Sequence, residues 1–327
     1  MSYRAHVCAK YGRYQDLRIE RLPEQKPNAS ELLVRNRAFA IGFPDLLTIQ
    51  GKYQRKPALP FVPGSEFCGE VIDVGDSVEH FKIGDPVMGS VLIGAYAEQI
   101  LAPENACMKL PSGFDFAVGA SFQVAYKTAY VGLVERGQIR PGESLLVLGA
   151  AGGVGLAAVE LGKALGATVI AAASSEEKLV IARSHGADNI INYSDGNFRD
   201  AVKGMTDGRG VDLVFDPVGG DCFDETVRCI APFGRLLVIG FASGRIPEIA
   251  LNYPLIKQIS IVGVRAGEFG RVDPVGGRRV KQALQRLANL GKLHPYVHLR
   301  AQFDAVESVF DSMIAREIHG RAVVVIE

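Results

Sequence analysis

From Ser144 to Lys178 the chain reads SLLVLGAAGGVGLAAVELGKALGATVIAAASSEEK, and three sets of groups in it are equipped for chemistry. Gly152, Gly153 and Gly155 leave backbone N–H groups free to close on an anion, Ser174 and Ser175 offer hydroxyls, and Lys178 offers an ammonium. Backbone N–H groups in a tight turn at a helix start favour a pyrophosphate, since the helix dipole adds its positive end to theirs. The elements that must position these groups are legible on either side. Ser144 to Leu148 is an unbroken apolar run of strand length. Val154, Ala157, Ala158, Leu161 and Leu165 recur at helical spacing, Gly166 caps that helix, and Thr168 to Ala172 returns as a second buried strand. A glycine triplet means little alone, but strand, turn, helix and strand in order meet the context that a dinucleotide turn requires. Ala150 stands where the usual GxGxxG begins, and Ala151, Gly152, Gly153 and Val154 are the expected pyrophosphate contacts.

The end of the second strand selects the dinucleotide. An NAD site places Asp or Glu there to hold the ribose 2′-hydroxyl. This chain has Ala173, Ser174 and Ser175, with Lys178 one helical turn on. A carboxylate would repel a 2′-phosphate, whereas two hydroxyls and an ammonium would bind one, so the expected cofactor is NADPH. Ser174 or Ser175 also reads as a cap for the next helix, with Glu176 and Glu177 in its first turn, and the two roles are compatible.

At 327 residues the chain predicts two domains, and 48% hydrophobic with 22% charged residues is an ordinary globular composition. Lys plus Arg and Asp plus Glu are equal at 36 each, which leaves no electrostatic footprint for nucleic acid or an anionic membrane. No apolar run is long enough to span a bilayer, and MSYRAHVCAKYGRY lacks a signal peptide's apolar core, so a cytoplasmic location is expected. Cys8, Cys68, Cys107, Cys222 and Cys229 show no spacing suited to a metal and read as reduced, small buried hydrophobes. GxSxG, GxxxxGK[ST] and HExxH are all absent, which removes the hydrolase and kinase readings.

Three zones follow. Residues 1–124 carry short β-like runs, Glu31 to Arg37, Glu70 to Val74, Pro86 to Ser90 and Ala97 to Leu101. Residues 125–264 alternate strands and helices, with Asn189 to Asn192, Val211 to Phe215, Leu236 to Ile239 and Ile259 to Val264 as buried strands of a parallel sheet. Residues 265–327 hold an amphipathic helix from about Pro274 to Leu290, a second from about Phe303 to Arg316, and a strand from Ala322 to Ile326. This tail is too small to fold alone and is expected to complete the first domain.

That order, with Pro63-Gly64-Ser65-Glu66 and Gly69, Val74-Gly75, Phe81-Lys82-Ile83-Gly84-Asp85-Pro86-Val87 and Gly94-Ala95-Tyr96-Ala97-Glu98, resembles the medium-chain dehydrogenase/reductase superfamily over almost the whole length. The resemblance implies an α/β protein with a GroES-like β-rich catalytic domain (1–124 and 265–327) and a Rossmann doubly wound parallel-sheet domain (125–264). Zinc-dependent members carry Cys–x–x–Asp, Gly-His-Glu and a later Cys. The matching positions here are Gly42, Ser65 and Val124, with Asp45 and Glu66 retained, and the four-cysteine structural lobe is missing between Gly89 and Cys107. Glycine and valine offer no side-chain donor, so no metal is expected.

What remains is similar to the zinc-free quinone oxidoreductase, zeta-crystallin-like branch, through Gly51-Lys52-Tyr53, Asn192-Tyr193, Asp216-Pro217-Val218-Gly219-Gly220 and Gly240-Phe241-Ala242-Ser243-Gly244. Those enzymes typically show Asn where Gly42 stands. The resemblance implies that Tyr193 lies against the adenosine end with Arg316 as a further 2′-phosphate contact. Phe241, Ala242, Val264 and Ala266 line the nicotinamide side, and Thr128 and Val218 are further cofactor contacts. Tyr53 is the candidate residue facing the acceptor, by stacking or by donating to its oxyanion, and Phe43 is a second. Each has a plain reading beside it: Tyr53 on a turn, Phe43 in a structural Gly-Phe-Pro, Tyr193 at a strand end, Phe241 in the core, Arg316 at a solvated helix terminus.

Three readings of function stand: an NADPH-dependent quinone reductase, an NADPH-dependent reductase of activated C=C bonds such as enones or enoyl thioesters, and an NADPH-binding protein with negligible turnover. For a thioester, Arg265, Arg271, Arg278 and Arg279 are either a phosphate-binding surface or a solvated helix face. Ile259 to Val264, as the last strand of the Rossmann sheet, predicts a homodimer through that edge.

Overall fold

In the computed structural model, which describes residues 2–194, 196 and 198–327, the chain divides into two compact units, residues 1–124 with 295–327 and residues 125–294. The cut at 124/125 coincides with the sequence reading, but the second cut does not. Residues 265–294, expected with the first domain, pack in the second unit. The amphipathic helix Pro274–Asn289 buries Val280, Leu284 and Ala288 there. Arg279 pairs with Glu135 at 2.5 Å, and the His294 N–H donates to Glu160 at 2.9 Å. Only residues 295–327 return to the first unit.

The first unit is built on a seven-stranded sheet. Its path runs Val297–Gln302, Arg321–Val325, Glu31–Ile41, Glu66–Val74, Pro86–Ser90 and Cys107–Lys109, with Gln99–Pro103 pairing Glu31–Ile41 as well. The long strand Glu31–Ile41 is the hub because its apolar residues face both ways; Leu32, Val34, Phe39 and Ile41 join one core with Phe67, Tyr96, Phe303 and Phe310. The tail strand Arg321–Val325 pairs antiparallel with Glu31–Ile41, setting Ala322 opposite Ile41, so Arg321 emerges beside Gly42. The expected helix over 303–316 is shorter, Val306–Ile314, preceded by a single 3₁₀ turn.

The second unit holds a six-stranded parallel sheet in the order Asn189–Asn192, Thr168–Ala173, Ser144–Leu148, Val211–Asp216, Ile230–Val238, Ser260–Gly263. The order reverses between Ser144–Leu148 and Val211–Asp216, the switch point at which doubly wound sheets open a crevice beyond their strand ends. Five of its strands match the expected runs closely, while Ile230–Val238 begins six residues before the run Leu236 to Ile239. Its irregular start contains a register shift and Phe233, exposed and left-handed at φ 64°. Among the described residues no helix is long and apolar enough to cross a membrane.

Candidate functional site

Most of the second unit's expected cofactor residues follow the carboxyl ends of its strands. Ser144–Leu148 runs into a turn in which Gly149, not Ala150, takes the left-handed backbone at φ 58°. Ala150 instead continues the ladder, its N–H donating to Ala172 O at 3.0 Å, so the first position of the motif tolerates a methyl. Gly152 is the N-cap of the helix Gly153–Ala164, whose first N–H groups are therefore unpaired within the helix. Gly155 has no such freedom. A Cβ there would sit 2.2 Å from Gly149 O and 2.9 Å from Ala150 Cα, so helix and strand approach through a gap only glycine fills. Ala151 and Val154 flank the same turn.

At the next strand end Ser174 and Lys178 come together, with Lys178 Nζ donating to Ser174 Oγ at 3.4 Å. Ser175 caps the helix Glu176–Ser184, accepting from the Lys178 N–H at 3.5 Å. The cap and the ammonium–hydroxyl pair therefore coexist, divided between the two serines. Tyr193 follows the neighbouring strand and donates its N–H to Ala173 O at 3.0 Å, with its ring 6.4 Å from Phe198. Ser174, Lys178 and Tyr193 thus share one corner of the unit. Arg316 does not join them within that unit: it belongs to the first, on an exposed left-handed turn at φ 62° after Val306–Ile314.

On the other side of the switch point, Val218 and Gly219 both donate N–H groups to Asp216 Oδ1 at 2.8 Å. Asp216 is buried, and burial pushes its carboxyl up while those two amides pull it down. Its work is to fold the turn that holds Val218, whose Cγ2 lies 3.0 Å from where a Cβ on Gly149 would be. The next turn stacks on this one through Ala242 N–H to Pro217 O and Ser243 N–H to Val218 O, both 3.0 Å. Phe241 is left partly exposed at 38% rather than sunk in the core. Val264 donates to Val238 O at 3.0 Å, Ala266 is buried, and Thr128 is half-buried on the helix Gln123–Tyr130.

The first unit carries the residues proposed to face an acceptor. Phe43 opens the helix Phe43–Ile49 and is 49% exposed. Tyr53 is half-buried on the loop after it, its N–H held by Leu47 O at 3.1 Å and its approach set by the left-handed Gly51. Behind them lies a group that sequence motifs only half disclose. Asp45 Oδ2 accepts from the Gly42 N–H at 2.9 Å and from the Tyr96 hydroxyl at 3.2 Å. Glu66 accepts the Val124 N–H at 2.7 Å and pairs with the Arg321 guanidinium. Burial pushes both carboxyls up; the Gly42 amide, the Ser65 hydroxyl and Arg321 oppose this at Asp45, and Arg321 and the Val124 amide oppose it at Glu66. Arg321 carried no local sequence signal, because it meets Glu66 across 255 residues of chain.

Zinc does not fit these residues. Gly42 and Val124 contribute only backbone, and an arginine guanidinium pairs with Glu66 and reaches to 3.6 Å from where a Cβ on Gly42 would be. Among the described residues no three His, Cys, Asp or Glu side chains cluster as a metal would need.

Comparison with known proteins agrees with this division. Residues 28–112 match the family model of the alcohol dehydrogenase GroES-like domain, and residues 153–289 match that of zinc-binding dehydrogenase. The chain is 38% identical to a quinone oxidoreductase-like protein 2 homolog of Nematostella vectensis, over 99% of this chain and 89% of that one. It is 31% identical to a quinone oxidoreductase of Homo sapiens, over 88% and 86%. Among solved structures, a probable oxidoreductase from Mycobacterium abscessus superimposes with a TM-score of 0.89 at 32% identity over 99% of both chains. The Escherichia coli quinone oxidoreductase complexed with NADPH superimposes with a TM-score of 0.88 at 26% identity, again over 99% of both. With the GroES-like and Rossmann halves both matched and the metal ligands replaced, the chain belongs to the medium-chain dehydrogenase/reductase superfamily, in its zinc-free, quinone oxidoreductase-like branch.

Proposed function

We propose that this protein is a zinc-independent, NADPH-dependent oxidoreductase that passes hydride to a quinone. The observation that carries the cofactor choice is the Lys178 ammonium resting 3.4 Å from the Ser174 hydroxyl, at the strand end where an NAD site would place a carboxylate. A 2′-phosphate replaces a weak ammonium–hydroxyl contact with charge-assisted bonds. The pyrophosphate would lie on the N–H groups of Gly152, Gly153 and Val154, with Tyr193 beside the adenosine, Phe241, Ala242, Val264 and Ala266 on the nicotinamide side, and Val218 and Thr128 as further cofactor contacts.

NADPH supplies the hydride when bound. The chain's task is to hold an electron-poor acceptor in line and exclude water. Tyr53 is proposed to stack on the acceptor or donate to its developing oxyanion, with Phe43 covering an apolar face. Reduction of a quinone by hydride leaves an aromatic hydroquinone anion that solvent protonates, so no dedicated acid is needed.

We further propose a homodimer through Ser260–Gly263. That strand is the sheet edge, and Ile261 on it and Leu251, Leu255 and Ile256 beside it are exposed apolar side chains, a surface that a second copy would cover symmetrically.

The test is NADPH oxidation by purified, chelator-treated protein against ortho- and para-quinones, enones and crotonyl-type thioesters, with NADH as control donor. Quinone turnover specific to NADPH is expected. Turnover confined to enones or thioesters would transfer the protein to the double-bond reductases, and tight NADPH binding without turnover would make it a binding protein.

A further inference from the structure

One cation of the second unit has no part in the chemistry above. Lys127 stands beside Thr128 on the helix Gln123–Tyr130 and is half-buried. Among the described residues its ammonium has no hydrogen bond and no carboxylate at ion-pair distance. The charge that offsets it is Glu268, which is itself bound to Arg271 at 2.5 Å. Burial pushes the Lys127 ammonium down, and the Glu268 field opposes this. Elsewhere in the unit Lys163, Arg209, Arg235, Arg245 and Arg279 each meet a carboxylate at 2.5–2.7 Å. A cation drawn partly out of water without such a partner costs stability, so Lys127 is placed for something other than the fold.

The packing of its helix sets Lys127 at the crevice. A Cβ on Gly132 would lie 3.0 Å from Phe215 Cε2 and 3.4 Å from Ile239 Cδ1, and one on Gly137 would lie 3.2 Å from Leu237 Cδ1. Phe215 and Ile239 stand at the carboxyl ends of Val211–Asp216 and Ile230–Val238, and Leu237 is lower on the second of these strands. After Gly132 the chain therefore descends along the sheet, and Lys127, before it, stands about 7.5 Å further out at a helical rise of about 1.5 Å per residue. Beyond the carboxyl ends at a switch point is where doubly wound sheets take their ligands. Glu268, whose field reaches Lys127, is in the first turn of the helix Ala266–Val272. Lys127 is thus close to both stretches, Thr128 and Val264 to Ala266, that the reading above gives to the cofactor, and all of them belong to one unit.

We propose that Lys127 is a further catalytic residue, whose ammonium donates a hydrogen bond to the acceptor oxygen on which negative charge grows as hydride arrives. In that step a C–H bond of the dihydronicotinamide breaks with its electron pair, the cofactor is oxidised, and a quinone is reduced to the hydroquinone anion, which takes its proton from solvent. A cation already paired would have to give up its partner to do this, whereas Lys127 gains one, and in a crevice that excludes water the gain is larger than in solution. The proposal rests on the NADPH-dependent oxidoreductase reading.

The experiment compares Lys127→Met and Lys127→Arg with wild type in thermal unfolding, in fluorescence titration with NADPH, and in steady-state NADPH oxidation from neutral to alkaline pH. Lys127→Met keeps the bulk and removes the charge. Its melting temperature should equal or exceed that of wild type, because no paired contact is lost, and its NADPH dissociation constant should stay within about twofold. Its kcat should fall roughly tenfold or more. The charged groups on the elements around Lys127 are Glu268 and Arg271 on the helix Ala266–Val272, and Tyr130, on its own helix, which faces Glu135 and Arg279. A lysine pushed down by burial sheds its charge early as pH rises, so wild-type kcat should decline on the alkaline side. Lys127→Arg stays charged at every working pH and should lose that decline. A folded Lys127→Met with wild-type kcat overturns the proposal, as does one whose melting temperature and activity fall together, which would make Lys127 structural. If Lys127→Met does not fold, Lys127→Arg decides, and an alkaline decline that persists in it overturns the proposal. A wild type that oxidises no NADPH with any acceptor removes the oxidoreductase reading and this proposal with it, whereas turnover undiminished in Lys127→Met removes the proposal alone.

Discussion

Replacing Lys178 with alanine tests the selector on which the cofactor reading depends. In the free protein Lys178 Nζ has one weak contact, 3.4 Å to a neutral hydroxyl, on a half-buried side chain, so its removal should leave folding nearly unchanged. With NADPH bound, the same ammonium would donate to a dianionic phosphate. A charge-assisted bond contributes about 1.5–3 kcal/mol, equivalent to roughly ten- to a hundredfold in affinity. Partial solvent exposure screens it, so a loss near the lower end, on the order of tenfold, is expected in the dissociation constant for NADPH. NADH lacks the phosphate and should change by less than about twofold. Ser174→Ala removes a neutral donor worth about 0.5–1.5 kcal/mol, and its effect should fall short of additivity with Lys178→Ala because the two side chains touch. Raising salt from about 0.1 M to 1 M shortens the screening length from about 10 Å to 3 Å and should shrink the difference between wild type and Lys178→Ala. Fluorescence titration of both dinucleotides against both proteins measures all of this. Equal losses for NADPH and NADH, or an NADPH affinity untouched by Lys178→Ala, would refute the phosphate assignment and leave Ser174 and Lys178 as surface groups.

Gly155→Ala forces a methyl to within 2.2 Å of the Gly149 carbonyl, which is backbone and cannot step aside, so a lower melting temperature together with loss of dinucleotide binding is expected in calorimetry. At Asp212, burial alone would raise the carboxyl, but the Arg209 guanidinium and the Ser144 amide and hydroxyl outweigh it and hold the group at about 2. A depressed folded-state pKa contributes stability that is complete above about pH 4 and lost as pH falls towards 2. Arg209→Ala should therefore move the acid-unfolding midpoint, followed by circular dichroism, to higher pH. Ile261→Lys puts a charge in the middle of the exposed edge strand; light scattering should then report a monomer that still binds NADPH, whereas a monomeric wild type would remove the dimer from the reading.

What the sequence disclosed and what it hid follow from the range of the interactions involved. The nucleotide turn was legible because every determinant lies within 35 consecutive residues and is local: apolar strands, a helical period, glycines and a capping serine. Even there, composition could not assign the backbone. The motif frame makes Ala150 look like a lost glycine, yet it is Gly149, the first residue after the strand, that takes the left-handed conformation, while the Ala150 N–H reaches back to the Ala172 carbonyl. Residues 265–294 failed for a related reason. An amphipathic helix declares that Val280, Leu284 and Ala288 need a partner surface without naming it, and the contacts that tie this segment into the second unit include Arg279 to Glu135 and the His294 N–H to Glu160, each pair more than 130 positions apart along the chain. Arg321 is the extreme case. It sits in a plain strand segment, and only the antiparallel pairing of Arg321–Val325 with Glu31–Ile41 brings its guanidinium to Glu66 and Gly42. Sequence could show that metal ligands were missing, since that is a matter of residue type at matched positions. What compensates their carboxylate neighbours is a matter of three-dimensional charge balance, and it becomes visible only when the two ends of the first unit are folded together.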